Sequence, residues 1–152
     1  MIQTFTIPGE PVGKGRPRFG RMKNGGVHTY TPEKTAKYEV LVRRCFIDSG
    51  CEYFGGKQLY VYINAYFPIP KSYSGRRVAQ IKAFDERPAK KPDCDNIAKA
   101  VLDALNDVAY CDDKQVVDVR CVKRYANPGE EGRVEVVIGT ISAEKTFVPT
   151  TE

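Results

Sequence analysis

The stretch KPDCDNIAKAVLDALND, residues 91–107, decides the fold that we expect for this chain. Four of its apolar residues recur at helical spacing, namely Ile97, Val101, Ala104 and Leu105. At about 100° per residue they fall within one arc, whereas Asp95 and Lys99 lie on the opposite side. The stretch therefore predicts a helix from Asn96 to Asn106 that buries one face and presents a carboxylate and an amine on the other.

The start of this helix carries two aspartates that are one residue apart. Pro92 disfavours helix for Lys91, so the helix begins after it, and Asp93 is an N-cap or stands just before one. Here Asp93 and Asp95 can converge on a hard cation, and carboxylate oxygens are ligands that Mg²⁺ and Mn²⁺ prefer. Capping alone explains the same pattern, because Asp is favoured at the N-cap and in the first turn. The pair by itself leaves both interpretations open.

A second acidic pair, Asp112-Asp113, lies between this helix and the next strand. A chain that returns antiparallel to the helix could bring Asp113, with Asp112 as a further possibility, toward Asp93 and Asp95. Lys99 is then either an i,i+4 partner of Asp95 or the amine that orients an attacking water and neutralises phosphoryl charge. Three carboxylates with one amine would form a compact metal site.

Other segments predict the rest of one α+β domain over residues 1–141. Alternating apolar residues predict strands over 2–7, 59–67, 116–124 and 133–141, with a turn at 127–129 between the last two. A helix is predicted over 32–48, with Thr31 as N-cap and Pro32 at the first helical position, and a short helix after Ser74. This order favours a two-layer sandwich in which helices pack on one face of a mixed sheet.

Two basic loops and a loose tail are expected around these elements. Residues 9–28 are rich in glycine and basic side chains and show no period, so we expect a mobile loop without regular structure. Residues 68–92 form the second basic loop, and residues 142–152 are expected to be a loose C-terminal tail.

The charges are segregated along the chain. The formal net charge of +5 is modest, but residues 1–44 hold nine basic side chains against three acidic ones, and residues 71–91 hold seven against two. Residues 92–118 reverse the sign, with seven aspartates against two lysines. This pattern favours a polyanion held by the basic segments and a cation held by the acidic one, although solvated surface charge is the simpler alternative.

Several classes of protein are excluded by what the sequence lacks. It has no secretory signal and no apolar run approaching the ~18 residues of a membrane span, so we expect a soluble, cytoplasmic protein. Five cysteines without a CxxC pair indicate reduced thiols. His28 is the single histidine, so a metal site with two histidine ligands cannot form.

The segment 91–107, followed by AYCDDKQVVD at 109–118, resembles the signature of the RusA family of Holliday junction resolvases. The matching positions are Asp93, Asp95, Asn96, Lys99, the run Asp103-Ala104-Leu105, and the run from Asp112 to Val116. The opening PGEPVGKGRPRF and the loop from Lys71 to Lys91 resemble the branch of this family found in phages and Gram-positive bacteria. The resemblance extends to about residue 141.

The resemblance implies a RusA-like fold and a specific activity. Members are small homodimers that bind four-way DNA junctions and cut two opposed strands with Mg²⁺ or Mn²⁺, without a nucleotide cofactor, leaving ends that a ligase can seal. It implies metal ligation and catalysis by Asp93, Asp95 and Asp113, with Asp112 as a lesser candidate, and an essential role for Lys99. It also implies a cytoplasmic protein encoded by a bacterium or a phage.

The two basic loops are the expected DNA contacts. The candidate residues are Lys14, Arg16, Arg18, Arg21, Lys23, Lys71, Arg76, Arg77, Lys90 and Lys91. Phe19 is either an aromatic wedge at the branch point or an anchor of its own loop. A non-catalytic protein that binds branched DNA and a metal nuclease for other branched DNA are the alternative functions.

Overall fold

Ten elements of regular structure make up the computed structural model, which describes residues 1–142. In chain order they are β1 (Ile2–Pro8), β2 (Arg18–Arg21), β3 (Val27–Tyr30), α1 (Glu33–Asp48), β4 (Leu59–Phe67), α2 (Gly75–Lys82), α3 (Cys94–Ala104), a 3₁₀ turn (Asp113–Gln115), β5 (Val116–Tyr125) and β6 (Arg133–Thr140). The tail expected at 142–152 lies outside the described residues except for its first residue.

Four strands form one mixed sheet in the order β1-β6-β4-β5. Strand β6 is antiparallel to both β1 and β4, whereas β4 and β5 are parallel. Parallel neighbours cannot be joined by a tight turn, so the chain between β4 and β5 must cross over the sheet. Helices α2 and α3 lie in that connection, which places the acidic start of α3 outside the sheet.

The core lies between the sheet and two helices. Alternate residues of β4, from Leu59 to Phe67, are at most 2% exposed, as the apolar alternation predicts. Helix α1 packs against α3 and β1, and α3 packs against β5. The apolar arc of α3 is buried as expected, so its polar arc faces outward. The predicted two-layer α+β fold, with helices on one face of a mixed sheet, is confirmed.

The prediction of an irregular, mobile loop over residues 9–28 is wrong. Residues 18–21 and 27–30 pair as the antiparallel hairpin β2–β3, and the segment before it is held against α1 and α3. No residue of β2 or β3 is buried. The hairpin therefore lacks the alternation of buried and exposed residues by which the other strands were predicted.

Smaller corrections concern how the elements begin and connect. Helix α1 begins at Glu33 with Pro32 as N-cap, so Thr31 is not the cap. The turn at 127–129 forms, with the Glu130 N–H donating to the Asn127 carbonyl at 3.0 Å. The strands it joins do not pair, however, because β4 lies between them. Over residues 1–142, no helix has the length and apolar character needed to cross a membrane, and the five cysteines form no disulfide.

Candidate nucleic-acid interface and carboxylate groups

The first two predicted metal ligands lie where expected, at the start of α3. Asp93 is the N-cap and Asp95 is in the first turn, but the Asp93 carboxylate makes no capping hydrogen bond. Both side chains are exposed, and neither forms an ion pair with the part of the chain that the structure describes. The missing capping bond weakens the capping interpretation, and it leaves the carboxylate oxygens open to a ligand from solution.

A broad groove of about 940 Å³ runs past Asp93. Its walls come from the segment before β2, the start of α1 and the start of α3. Its charged lining comprises Lys14, Arg16, Arg18, Lys34 and Lys91 together with Asp93. The groove brings four of the predicted DNA contacts and one predicted metal ligand onto a single surface.

Two glycines allow the basic segment to approach both helices. The N–H of Lys14 donates to the Asn96 carbonyl, and the N–H of Gly15 donates to Thr35 Oγ1, both at 3.0 Å. A Cβ at Gly13 would stand 2.8 Å from that of Pro92, and one at Gly15 would stand 2.6 Å from Thr35 Oγ1. Any larger residue would push the segment away, so the glycines fix the wall of the groove rather than make it flexible.

Lys14 differs from the other basic residues of the groove. Its Nζ pairs with Glu39 on α1 and, at 3.2 Å, with Asp103 on α3. Only 18% of its side chain is exposed. Burial favours the neutral amine, but the hydrogen bonds and attraction from both carboxylates outweigh it and raise the Lys14 pKa. Its charge is neutralised inside the protein, so Lys14 ties the basic segment to the two helices.

Asp113 lies beyond the C-terminal end of α3, whereas Lys99 lies in the middle of the helix. Lys99 pairs with Asp103 at 3.3 Å rather than with Asp95. The backbone N–H of Asp113 donates to Asn106 Oδ1 at 2.8 Å. Burial, hydrogen bonding with Asp112 and repulsion from Asp103 raise the pKa of Asp113, whereas Lys99 lowers it. Asp113 therefore belongs to the electrostatic surroundings of Asp103 and Lys99.

The structure does not assemble the three predicted metal ligands into one cluster. No group of three His, Cys, Asp or Glu side chains within residues 1–142 is arranged to hold a metal ion. The donor chemistry at Asp93 and Asp95 still suits Mg²⁺, which is often held by one or two carboxylates with water and substrate phosphate. A third ligand from Asp113, beside the pair at the start of α3, stays a prediction.

Some of the other predicted DNA contacts are exposed without an ion pair in the described residues, and others already contact neighbouring side chains. Arg21 and Lys23 are exposed at the tip of the hairpin, and Phe19, within β2, is 75% exposed. Lys71 and Arg76 are exposed near α2. By contrast, Arg77 stacks at 3.6 Å over the Tyr73 ring and pairs with Glu86 at 2.7 Å.

Lys90 and Lys91 lie just before α3 and are both exposed. Lys90 is near the Phe67 ring, at 5.6 Å from its centroid, and its carbonyl accepts a hydrogen bond from Lys123. Lys91 opens onto the groove beside Asp93.

Comparison with known proteins places the chain in a family. The model of endodeoxyribonuclease RusA matches residues 8–139. The chain belongs to the RusA endodeoxyribonuclease family. The uncharacterised protein YqaN of Bacillus subtilis (strain 168) is 41% identical over 141 residues, which cover 91% of this chain and 96% of that protein. The groove, Asp93 and α3 all lie within the matched residues.

Asp103 and Asn96 contact the basic segment and lie within the RusA-like signature, but they are not among the predicted site residues. Lys34 and Glu39 are likewise not among them. The spacing of Asp95, Lys99 and Asp103 is four residues each, which places all three on one side of α3. That spacing was the available signal for Asp103. Nothing in the sequence pairs Lys14 with Glu39, because that contact depends on how α1 packs against α3.

Proposed function

We propose that this RusA-family protein is a Holliday junction resolvase that acts as a homodimer and cuts two opposed strands by Mg²⁺-dependent phosphodiester hydrolysis. The observation that carries the proposal is the groove in which Arg16, Arg18, Lys34 and Lys91 surround the exposed Asp93. A carboxylate inside a basic groove suits a phosphodiester, because the cations neutralise phosphates while the acid holds a metal or a proton at the scissile bond.

DNA binding is assigned to the exposed basic residues. Those of the groove would contact phosphates near the cut, and Arg21 and Lys23 on the hairpin would contact DNA farther from Asp93. The hairpin buries none of its residues, so its side chains remain available to a ligand. Lys14 is left out of the DNA contacts, since its amine is already paired with two carboxylates.

The metal is assigned to the carboxylates at the start of α3. Asp93 and Asp95 would hold it, with Asp113 as the third ligand that the family signature implies and Mn²⁺ as an alternative ion. Bound Mg²⁺ supplies Lewis-acid polarisation of the phosphoryl group and acidifies the attacking water.

The chain's own residues complete the reaction. Water adds to phosphorus, one P–O bond breaks, and the leaving oxygen takes a proton. Lys99 lies one turn after Asp95 on the same side of α3, where its ammonium would stabilise negative charge on a phosphoryl oxygen. Asp103 pairs with Lys99 at 3.3 Å, and this pairing holds the ammonium on the outer face of the helix.

A homodimer follows from the symmetry of the substrate. A four-way junction has near two-fold symmetry, so a two-fold dimer presents one site to each of two opposed strands.

The test is cleavage of a synthetic four-way junction with and without Mg²⁺. The wild-type protein should introduce paired symmetrical nicks with Mg²⁺ and none in EDTA. Asp95→Asn should abolish cutting while junction binding is retained or tighter, and Asp48→Asn at the exposed end of α1 should cut normally. Flap, fork and linear duplex substrates run in parallel separate a resolvase from a less selective nuclease. Unchanged cutting by Asp95→Asn, or binding by the wild-type protein without any cutting, would overturn the proposal.

A further inference from the structure

A second cavity, of about 560 Å³, lies where α2 ends beside β4 and β5. It is lined by polar, aromatic and basic residues that include Asn64, Tyr66, Phe84, Arg87, Arg124 and Arg133. It shares no lining residue with the groove at Asp93. Part of its lining comes from the second basic loop, but none of its residues is among the individual DNA contacts predicted above, and the cavity itself has no assigned role.

The cavity carries an excess of unneutralised positive charge. Lys82, Arg87, Arg124 and Arg133 line it, against the single acid Glu86. Glu86 is already engaged, since its Oε1 lies 2.7 Å from the Arg77 guanidinium. Arg133 pairs with Glu135 at 2.9 Å, whereas within residues 1–142 Lys82, Arg87 and Arg124 form no ion pair. The three open cations favour an anionic ligand.

Phe84 gives the cavity an exposed aromatic face in an unusual position. It follows the C-cap of α2 with a φ of 65°, in the left-handed region that favours glycine. Its side chain is 74% exposed. Neither the backbone conformation nor burial accounts for a phenylalanine here, so a contact with a ligand is the remaining advantage that an aromatic ring offers.

Flat and hydrogen-bonding groups complete the lining. The Arg133 guanidinium lies 3.9 Å from the centroid of the Tyr66 ring, and such a stacked plane can receive a further flat ring. Asn64 accepts a hydrogen bond from Arg124 Nε at 3.4 Å, and the side-chain amide of Asn127 also lines the cavity. Amides recognise the edges of bases, and arginines contact phosphates.

We propose that this cavity binds an unstacked nucleotide of single-stranded DNA. The base stacks on Phe84 or on the Tyr66–Arg133 pair, and the flanking phosphates contact Lys82, Arg87 and Arg124. This inference rests on the proposed function, because opening of a strand near the branch point of the junction would supply the unstacked nucleotide. The size of the cavity lies within the range of small-ligand sites in proteins.

The first test measures binding of a fluorescent thymidine oligonucleotide of about 12 nucleotides by anisotropy in EDTA. Phe84→Gly and Arg124→Ala should each weaken binding about tenfold, while Arg44→Ala, an exposed arginine of α1, should change it less than about twofold. Phe84→Gly should also raise the thermal unfolding midpoint, because glycine relieves the strain at this φ. A merely structural role for Phe84 predicts the opposite shift in stability. Normal binding by both cavity variants would overturn the proposal.

The second test maps the contact directly. A strand that carries one 5-iododeoxyuridine should crosslink under ultraviolet light to Phe84, to Tyr66 or to Tyr125, which also lines the cavity. The crosslinked residue is identified by mass spectrometry, and a blunt duplex of equal charge should not crosslink there. Crosslinks only outside the cavity, or equal crosslinking of the duplex, would overturn the assignment. The same preparations are assayed on the four-way junction with Mg²⁺. If the protein cuts the junction but the cavity binds no single strand, the cavity proposal fails and the resolvase proposal stands. If the cavity binds a single strand but the protein does not cut, the resolvase proposal alone fails.

Discussion

Adjacent aspartates before β5 have opposite electrostatic surroundings. Asp112 caps the 3₁₀ turn, and the Lys114 N–H that donates to its Oδ1 at 2.9 Å is the main cause of its lowered pKa. Asp113 has a raised pKa because of burial and the carboxylates around it. Ionisation therefore stabilises the fold at Asp112 and destabilises it at Asp113. The ionised Asp113 side chain therefore lowers the stability of the folded state.

We expect Asp113→Asn to raise the thermal unfolding midpoint at neutral pH in EDTA. A raised carboxyl pKa means that the folded state binds more protons, so wild-type stability falls as pH rises through that pKa. The gain from Asp113→Asn should therefore disappear below the usual aspartate pKa of 3.8. Asp112→Asn is the matched control and should lower the midpoint at neutral pH, because an amide is a weaker acceptor than a carboxylate. Thermal unfolding of the wild-type protein and both variants over an acid-to-neutral pH series measures the direction of each shift. A lower midpoint for Asp113→Asn at neutral pH would contradict a raised pKa of Asp113.

The residues of the site were predictable to different degrees. Asp93 and Asp95 were located at the start of α3 because Pro92 and the apolar spacing after it define that boundary locally. Asp113 is predicted to join them, but its place depends on where the chain leaves α3, and the charges that shift its pKa include Asp103 and Lys99. Local patterns fix where a residue stands on its own element, and tertiary packing fixes which other elements it meets.

At the scale of elements, the junction of the basic segment with α1 and α3 shapes the groove. Lys14 lies at this junction, between Glu39 and Asp103, whose side chains are 16% and 19% exposed. Both carboxylates would lose a partner without Lys14. The basic segment is therefore part of the folded domain rather than an appendage to it.

Lys14→Met should lower the free energy of unfolding by about 1–3 kcal/mol, because Glu39 loses its ion pair and Asp103 keeps only the one with the exposed Lys99. Lys37→Met is the matched control. Lys37 pairs with Glu33 on α1 where both side chains are at least 75% exposed, so its loss should cost no more than about 0.5 kcal/mol. Urea unfolding of the three proteins measures the difference. Equal values for the two variants would mean that the Lys14 ion pairs do not hold the segment.

The elements themselves were predicted where each buries one face. Strand β4 and helix α1 follow from their apolar periods, and the short helix after Ser74 forms as α2. The hairpin β2–β3 buries nothing, so its sequence carries no such period. The place of β4 between β5 and β6 was also beyond prediction, because periodicity reports which face of a strand is buried and not which strands are neighbours.

At the scale of the whole molecule, the small net charge of +5 results from the cancellation of larger local charges. In the folded chain the basic and acidic segments meet at the Lys14–Asp103 ion pair and in the groove where Asp93 lies among basic residues. One basic set surrounds Asp93, a second lines the cavity beside Phe84, and the acidic set runs along α3 and the turn after it. The groove contains Asp93, and Asp95 follows two residues later in the first turn of α3. In the proposed mechanism one such site serves one strand of a junction.

One site for each subunit of the proposed dimer leads to a prediction for a dimer of one wild-type and one Asp95→Asn chain. Wild-type and Asp95→Asn chains with different tags are co-expressed, and the heterodimer is purified through both tags. The substrate is a supercoiled plasmid with an extruded cruciform. The heterodimer should nick one strand and yield open circles. The wild-type dimer should yield linear plasmid, and the Asp95→Asn homodimer should leave the plasmid intact. The reason is that, in the proposed two-fold dimer, each site would hydrolyse one phosphodiester and the intact subunit would not reach the opposed strand. Linear product from the heterodimer at the wild-type rate, or failure of the two tags to co-purify, would refute one site per strand in a two-fold dimer.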